Sequence, residues 1–229
     1  MNYPTSWLTS MSIGEKIACE VRLKIIRGDI SIGSVLSENH LAQEFGASRS
    51  PVRDALRVLA NEGLIRLERM GAVVLGLSKK DMEELYDVRI LIETYLLKTI
   101  SKTDQTRLSL ELKKVIDKMT LAMEHRNPID FSYQDLIFHE LIVIESKHER
   151  LLRVWYSLKP VVLTALLVAT TKRFEEDYDE IQQLIDKHTL IIDALLSQDD
   201  DLIEQTLLNH FQDTRTTVYD SLWKEDIQE

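Results

Sequence analysis

Asp135 and His139 stand four residues apart in the string QDLIFHE, and His188 and His210 follow in DKHTLIIDAL and LNHFQD. On a helix an i, i+4 pair shares one face, so this carboxylate and imidazole would project together. One carboxylate with three imidazoles suits a first-row divalent metal such as Zn, Ni or Mn. Surface or hydrogen-bonded histidines are the commoner explanation of such residues, and His40, His125 and His148 fit no constellation at all. A second group is Ser48, Arg49, Ser50 and Arg53 in SRSPVRDAL. Two guanidinium forks four residues apart, with hydroxyls beside them, suit the start of a helix that meets DNA. By itself, a pair of exposed arginines is more often a solvated face.

Both groups need helices to hold them. The stretch from Ser37 to Gly63 reads as two short helices joined by a tight turn. Ser37 is placed to cap the first, whose apolar side is Leu41, Ala42 and Phe45. Gly46 breaks it, Ser48 offers a second N-cap, and Pro51 falls in the first turn of the next helix, where its missing N–H costs little. Val52, Ala55, Leu56 and Leu59 then recur at helical spacing, and Gly63 ends the run. From Leu64 to Leu77, Ile65 and Leu67 alternate with Arg66 and Glu68, Met70-Gly71 makes a turn, and an apolar run returns. That pattern predicts a two-stranded wing, with Arg66, Arg69 and Gly71 placed for backbone or minor-groove contact. Upstream, Ser12 and Glu15 form a capping-box pattern for a helix running to Gly28, with Ile17, Val21, Ile25 and Ile26 inward.

Charge divides along the same boundary. The whole chain carries a net charge of −10. Residues 1–77 hold nine Lys/Arg and eight Asp/Glu, leaving the remainder near −11. Binding through a few placed arginines is therefore favoured over broad adhesion to phosphate, and a membrane-surface or general RNA role is disfavoured. No apolar run approaches about 18 residues and no signal pattern opens the chain, so a cytoplasmic location is expected. The single Cys19 precludes an internal disulfide. Its plainest role is a buried small hydrophobe, the alternative being a redox sensor.

Beyond Gly76 glycine is absent and no strand pattern returns. Six helices are predicted: about 78–101 with Leu85, Val88, Leu91 and Ile92 inward; 103–126 with Leu108, Leu112, Val115, Ile116 and Met119 inward; about 130–145 after an NPID turn; 149–171 with a bend near Pro160; 177–197; and 200–224. The fold class is mainly α. A winged helix-turn-helix over 1–77 is followed by an all-α antiparallel bundle over 78–229.

The string from G-D-I-x-x-G through S-R-S-P-V-R-D-A-L, N-E-G-L-I and G-A-V-V resembles the N-terminal domain of GntR-family bacterial repressors. The second half resembles the FCD ligand-binding domain of that family's FadR-like branch. The resemblance implies a homodimeric, non-enzymatic repressor of a palindromic operator in double-stranded DNA. It implies a metal held by Asp135, His139, His188 and His210 at the floor of an effector pocket. It also implies that Arg89 projects into that pocket to clamp a small carboxylate, with a salt bridge to Glu93 as the competing role. Asn209 is a further effector candidate. Asn39 stands where a fatty-acid-responsive relative uses an arginine against DNA. Strings such as IRLERMGAVVLGL, YDVRILIET and SLKPV further resemble sugar-acid-responsive members, which implies gluconate or a related sugar acid as effector. Another hydroxy-acid or dicarboxylate is the alternative on the same scaffold. Two readings of other kinds are a metal-dependent helical enzyme with a DNA-binding head, for which Glu140 is the nearest acid, and a bundle that only dimerises.

Overall fold

The computed structural model describes residues 3–69 and 71–223, and the chain separates into two compact units between Lys79 and Lys80. In the first unit, helix α1 spans Ile13–Ile26. The Glu15 N–H donates to Ser12 Oγ at 3.3 Å and the Ser12 N–H to Glu15 Oε2 at 2.7 Å, so the capping box is reciprocal. Strand β1 covers Val35–Leu36, and α2 follows over Glu38–Glu44, where the Ser37 hydroxyl accepts from the His40 N–H. Gly46, with φ +57°, lets the chain turn into α3, Arg49–Asn61. Its apolar face of Val52, Ala55, Leu56 and Leu59 is buried as the spacing requires. Ser48 holds an extended N-cap backbone but its side chain makes no cap hydrogen bond. The expected second cap is thus a conformation without the bond. A buried bidentate pair, Arg22 to Glu62 at 2.6 and 2.7 Å, ties α1 to the end of α3.

The hairpin of β2 (Ile65–Glu68) and β3 (Gly71–Val74) is present, but it belongs to a three-stranded antiparallel sheet of order β1-β3-β2. Val35 pairs with Val73 and Leu36 with Ala72. Two residues of β1 are too few to show a period-two pattern, which is why only two strands are legible. A Cβ on Gly71 would meet Leu36 O at 2.8 Å and Val35 Cγ1 at 3.0 Å, so glycine there permits β1 to lie against the wing. Ile65 is buried, whereas Leu67 is 50% exposed because the hairpin runs out past the core. Met70, the first residue of the expected turn, lies outside the described residues.

The second unit contains six α-helices among the described residues: α4 (Lys79–Ile100), α5 (Thr106–Glu124), α6 (Pro128–Glu145), α7 (Glu149–Glu176), α8 (Ile181–Ser197) and α9 (Asp200–Trp223). The NPID segment is not a turn. Asn127 caps α6 by accepting from the Asp130 N–H at 3.1 Å, and Pro128 occupies the first helical position. Helix α7 continues five residues past the expected end, through the charged KRFEE, before a 3₁₀ turn at Tyr178–Glu180. Although α7 is long and apolar enough to cross a bilayer, Val161 to Leu167 are buried within the bundle. The inward face of α4 differs most from expectation. Met82, Tyr86, Arg89, Ile92, Glu93, Leu96 and Leu97 are buried, while Leu91 is 71% exposed and Leu85 and Val88 are half-buried. An ion pair occupies the face that periodicity assigned to aliphatic side chains.

Candidate functional site

The bundle brings together all four residues of the first group. Asp135 and His139 project from α6, His188 from α8 and His210 from α9, and all are buried. Candidate ligand atoms of the three histidines lie within 4.8 Å of one another. His139 Nε2 is 3.1 Å from His210 Nε2, and the Asp135 carboxylate sits 3.9 Å from both His139 Nε2 and His188 Nε2. Neighbouring imidazole nitrogens around a tetrahedral ion are about 3.3 Å apart, close to the spacing present.

Two of the three other nitrogens are held from outside, while His210 Nδ1 is buried with no hydrogen-bond partner among the described residues. His139 Nδ1 meets Glu93 Oε2 at 2.5 Å and His188 Nδ1 meets the Leu184 carbonyl at 2.7 Å. These contacts leave the Nε2 atoms facing the cluster, the arrangement that fixes tautomer and ring angle in metal sites. His188 Nε2 is buried with no hydrogen-bond partner among the described residues. Burial pushes His188 down to about 4, against the pull of Asp135, and drives His210 well below the ordinary histidine range with His188 and His139 adding to it. Both are therefore neutral at physiological pH, the form that ligates metal. For Glu93, burial works to raise its carboxyl, but attraction and hydrogen bonds from the neighbouring His139 and Arg89 hold it below the usual range. A preoriented, under-bonded nitrogen set beside a carboxylate fits a divalent ion.

Arg89 reaches the same place. Its Nε donates to Glu93 Oε1 at 3.1 Å, its Nη2 is buried without a partner among the described residues, and Cζ lies 4.6 Å from the centre of the Phe211 ring. Phe211 itself packs against His139 and His210. The salt bridge and the projection toward the cluster therefore coexist in one side chain. Asn209 does not join them. It is exposed and lines a surface groove with Asp87, Glu204, Gln212 and Arg215. One residue of helical rotation, about 100°, separates it from the buried His210. Glu140 is likewise turned away, its carboxylate held at 2.8 Å by Lys159. Glu93, which anchors both Arg89 and His139, is the main contributor that sequence reading named only as a salt-bridge partner.

The second group is split by the structure. Asn39, Arg49, Arg53, Arg69 and Gly71 line one groove, together with Arg57 and Leu67. Ser48 and Ser50 line a different one, beside Ser12, Gly14 and Asp54. Residues one before and one after Arg49 cannot share its face of a helix, so only the arginines form a stripe. Arg57 continues that stripe at i+4 from Arg53, a spacing visible in the sequence and overlooked. Arg53 is presently paired with Glu38 at 2.8 Å and Arg66 with Glu68 at 2.8 Å, both exposed and easily exchanged for phosphate. Arg66 is not among the groove's lining residues.

Residues 13–75 match the model of bacterial regulatory proteins of the gntR family, and residues 84–213 match the FCD domain. This chain belongs to the GntR family, with an FCD domain. The GntR-family chain is 42% identical over 221 residues to the gluconate operon transcriptional repressor of Bacillus licheniformis, covering 96% of this chain and 90% of that protein. Its counterpart in Bacillus subtilis is 41% identical over the same shares. The fold is also that of McbR/YncC of E. coli, with a TM-score of 0.69 at 19% identity over 91% of this chain and 98% of the other. As a GntR-family member it is a DNA-binding transcriptional repressor and not an enzyme.

Proposed function

We propose that this GntR-family protein is a homodimeric, cytoplasmic repressor whose FCD domain takes gluconate or a related sugar acid at a metal held by Asp135, His139, His188 and His210. The observation that carries the reading is the buried cluster itself. Three imidazoles, a carboxylate and a half-paired guanidinium converge inside a chain 42% identical to a gluconate operon repressor. A bound divalent ion would supply Lewis-acid attraction for an anionic oxygen. Arg89, anchored by Glu93, would hold the ligand carboxylate from the other side through its unused Nη2. Helix α4 carries both Arg89 and Glu93 and begins at Lys79, directly after the wing in the chain. It therefore gives effector binding a covalent route to the DNA-binding unit.

In each DNA-binding unit, α3 would enter the major groove of a half-site with Arg49 and Arg53 toward base edges and Arg57 and Arg69 toward phosphate. Two copies would read a palindrome. Leu91 and Tyr95, 71% and 55% exposed on α4, supply apolar surface suited to a second copy. The effector acts only through its different affinity for the DNA-bound and DNA-free arrangements. A gel-shift titration on an operator selected from genomic fragments tests the reading, with gluconate expected to weaken binding. Undiminished binding at saturating gluconate, alongside a response to a different hydroxy-acid or dicarboxylate, would move the assignment to that ligand on the same scaffold.

A further inference from the structure

Three buried polar atoms on side chains packed together have no hydrogen-bond partner among the described residues: Arg89 Nη2, and Tyr86 Oη and Trp155 Nε1 of the two rings beside its guanidinium. All three side chains are about 1% exposed. Arg89 Cζ lies 5.6 Å from the Tyr86 ring and 5.5 Å from the Trp155 ring. Phe211 links the group to the histidines, with its ring 6.0 Å from that of Tyr86 and 5.4 Å from that of His139. Buried donors without acceptors are rare in native proteins, because each forfeits its hydration with nothing in return. A core needing only bulk at position 86 would place Phe there, since Tyr adds only an O–H. Trp155 adds ring area as well, but its N–H still requires an acceptor when buried.

We infer that Tyr86 and Trp155 are effector-contacting residues, donating through Tyr86 Oη and Trp155 Nε1 to oxygens of the acid that Arg89 clamps. The inference rests on the effector site proposed above and extends it. Trp155 Nε1 and Arg89 can only donate. Tyr86 stays protonated because burial, opposed by Arg89, holds its phenol well above the ordinary range. The surroundings of Arg89 are thus donor-rich and select a ligand whose bound end is dense in acceptor oxygen, a carboxylate bearing a neighbouring hydroxyl. Amines and simple fatty acids are disfavoured, the first by charge and the second because a bare alkyl chain leaves the donors unanswered.

The test uses Tyr86→Phe and Trp155→Phe in the full-length, metal-loaded protein, which keep an aromatic ring while deleting one donor. Gluconate affinity is read by calorimetry and ligand-free stability by thermal melting. Each variant is expected to weaken gluconate by about tenfold, the loss for one hydrogen bond to a charged acceptor. For Tyr86→Phe the ligand-free melting midpoint is expected to hold or rise, since an unanswered polar atom has been removed; Trp155→Phe also leaves a void in the core, so there the affinity is the readout. Wild-type affinity in both variants would overturn the inference while leaving the effector site intact. A lowered ligand-free midpoint of Tyr86→Phe with unchanged affinity would also overturn it, by showing that the hydroxyl serves the fold. Should the wild-type protein bind no acid from a panel of hydroxy-acids and dicarboxylates, this inference and the site beneath it would fall together.

Discussion

In the N-terminal unit Arg49, Arg53 and Arg57 stand in a row on α3 with their side chains in solvent, Arg53 paired with a half-buried Glu38. In the C-terminal unit Arg89 is 1% exposed, bonded to a fully buried Glu93 and covered by Tyr86, Trp155 and Phe211. On the proposed function, the same functional group is held in opposite ways because the two partners arrive differently. A DNA backbone brings its own charge to a surface, so long arginines that trade one carboxylate for a phosphate lose little. A small acid entering a bundle must find its clamp already oriented, since an arginine searching for position inside a core would forfeit the gain. The surface arginines should therefore tolerate substitution without cost to the fold, whereas the buried one should not.

That contrast gives a graded series of tests. The largest effect is expected from Glu93→Ala, which strands Arg89 as a buried unpaired charge and frees His139 Nδ1. Chemical denaturation should show a loss of about 3–5 kcal/mol. Metal affinity, read by competition with a chromophoric chelator, should fall by about 10–100-fold because a supporting carboxylate is gone. Next comes Arg49→Ala, which should cost about 1–3 kcal/mol of operator discrimination in a gel shift, with an unchanged denaturation midpoint. Arg57→Ala should weaken binding evenly across DNA sequences and reduce the salt slope by about one. If Arg57→Ala instead altered sequence preference, the division of the α3 stripe between bases and phosphates would be wrong. The smallest effects concern helix caps. Ser37→Ala removes a made cap bond and should cost about 1 kcal/mol. Ser48→Ala, with no cap bond to lose, should stay within about 0.5 kcal/mol.

The same contrast explains what sequence could and could not reveal. The winged unit is built from local signals. Ser12 and Glu15, Ser37, Gly46 and Gly63 each announce a helix end, and each lies where its chemistry requires. What escaped notice there was non-local: β1, two residues long, is a strand only because Val73 and Ala72 pair with it. In the bundle, the cluster of Asp135, His139, His188 and His210 was legible because imidazoles are scarce and Asp135 and His139 share a helical face. The inward face of α4 was not legible. Periodicity assumes that aliphatic residues face inward, and Arg89 with Glu93 reverses that rule by satisfying each other in the core. Leu91 is left outside. Asn209 was misplaced for a simpler reason, since adjacency to His210 in sequence puts it on a different face of α9. A buried ion pair in place of a hydrophobic stripe, with unpartnered polar atoms around it, marks a place where the fold has kept chemistry at the expense of packing.

The most direct test of the central assignment is a gluconate titration of the wild-type protein by calorimetry, before and after EDTA, and again after adding back Zn²⁺, Ni²⁺ or Mn²⁺. Saturable heat that vanishes on chelation and returns with metal is the expected result. Equal heat with and without EDTA would contradict a metal-dependent effector site at Asp135, His139, His188 and His210.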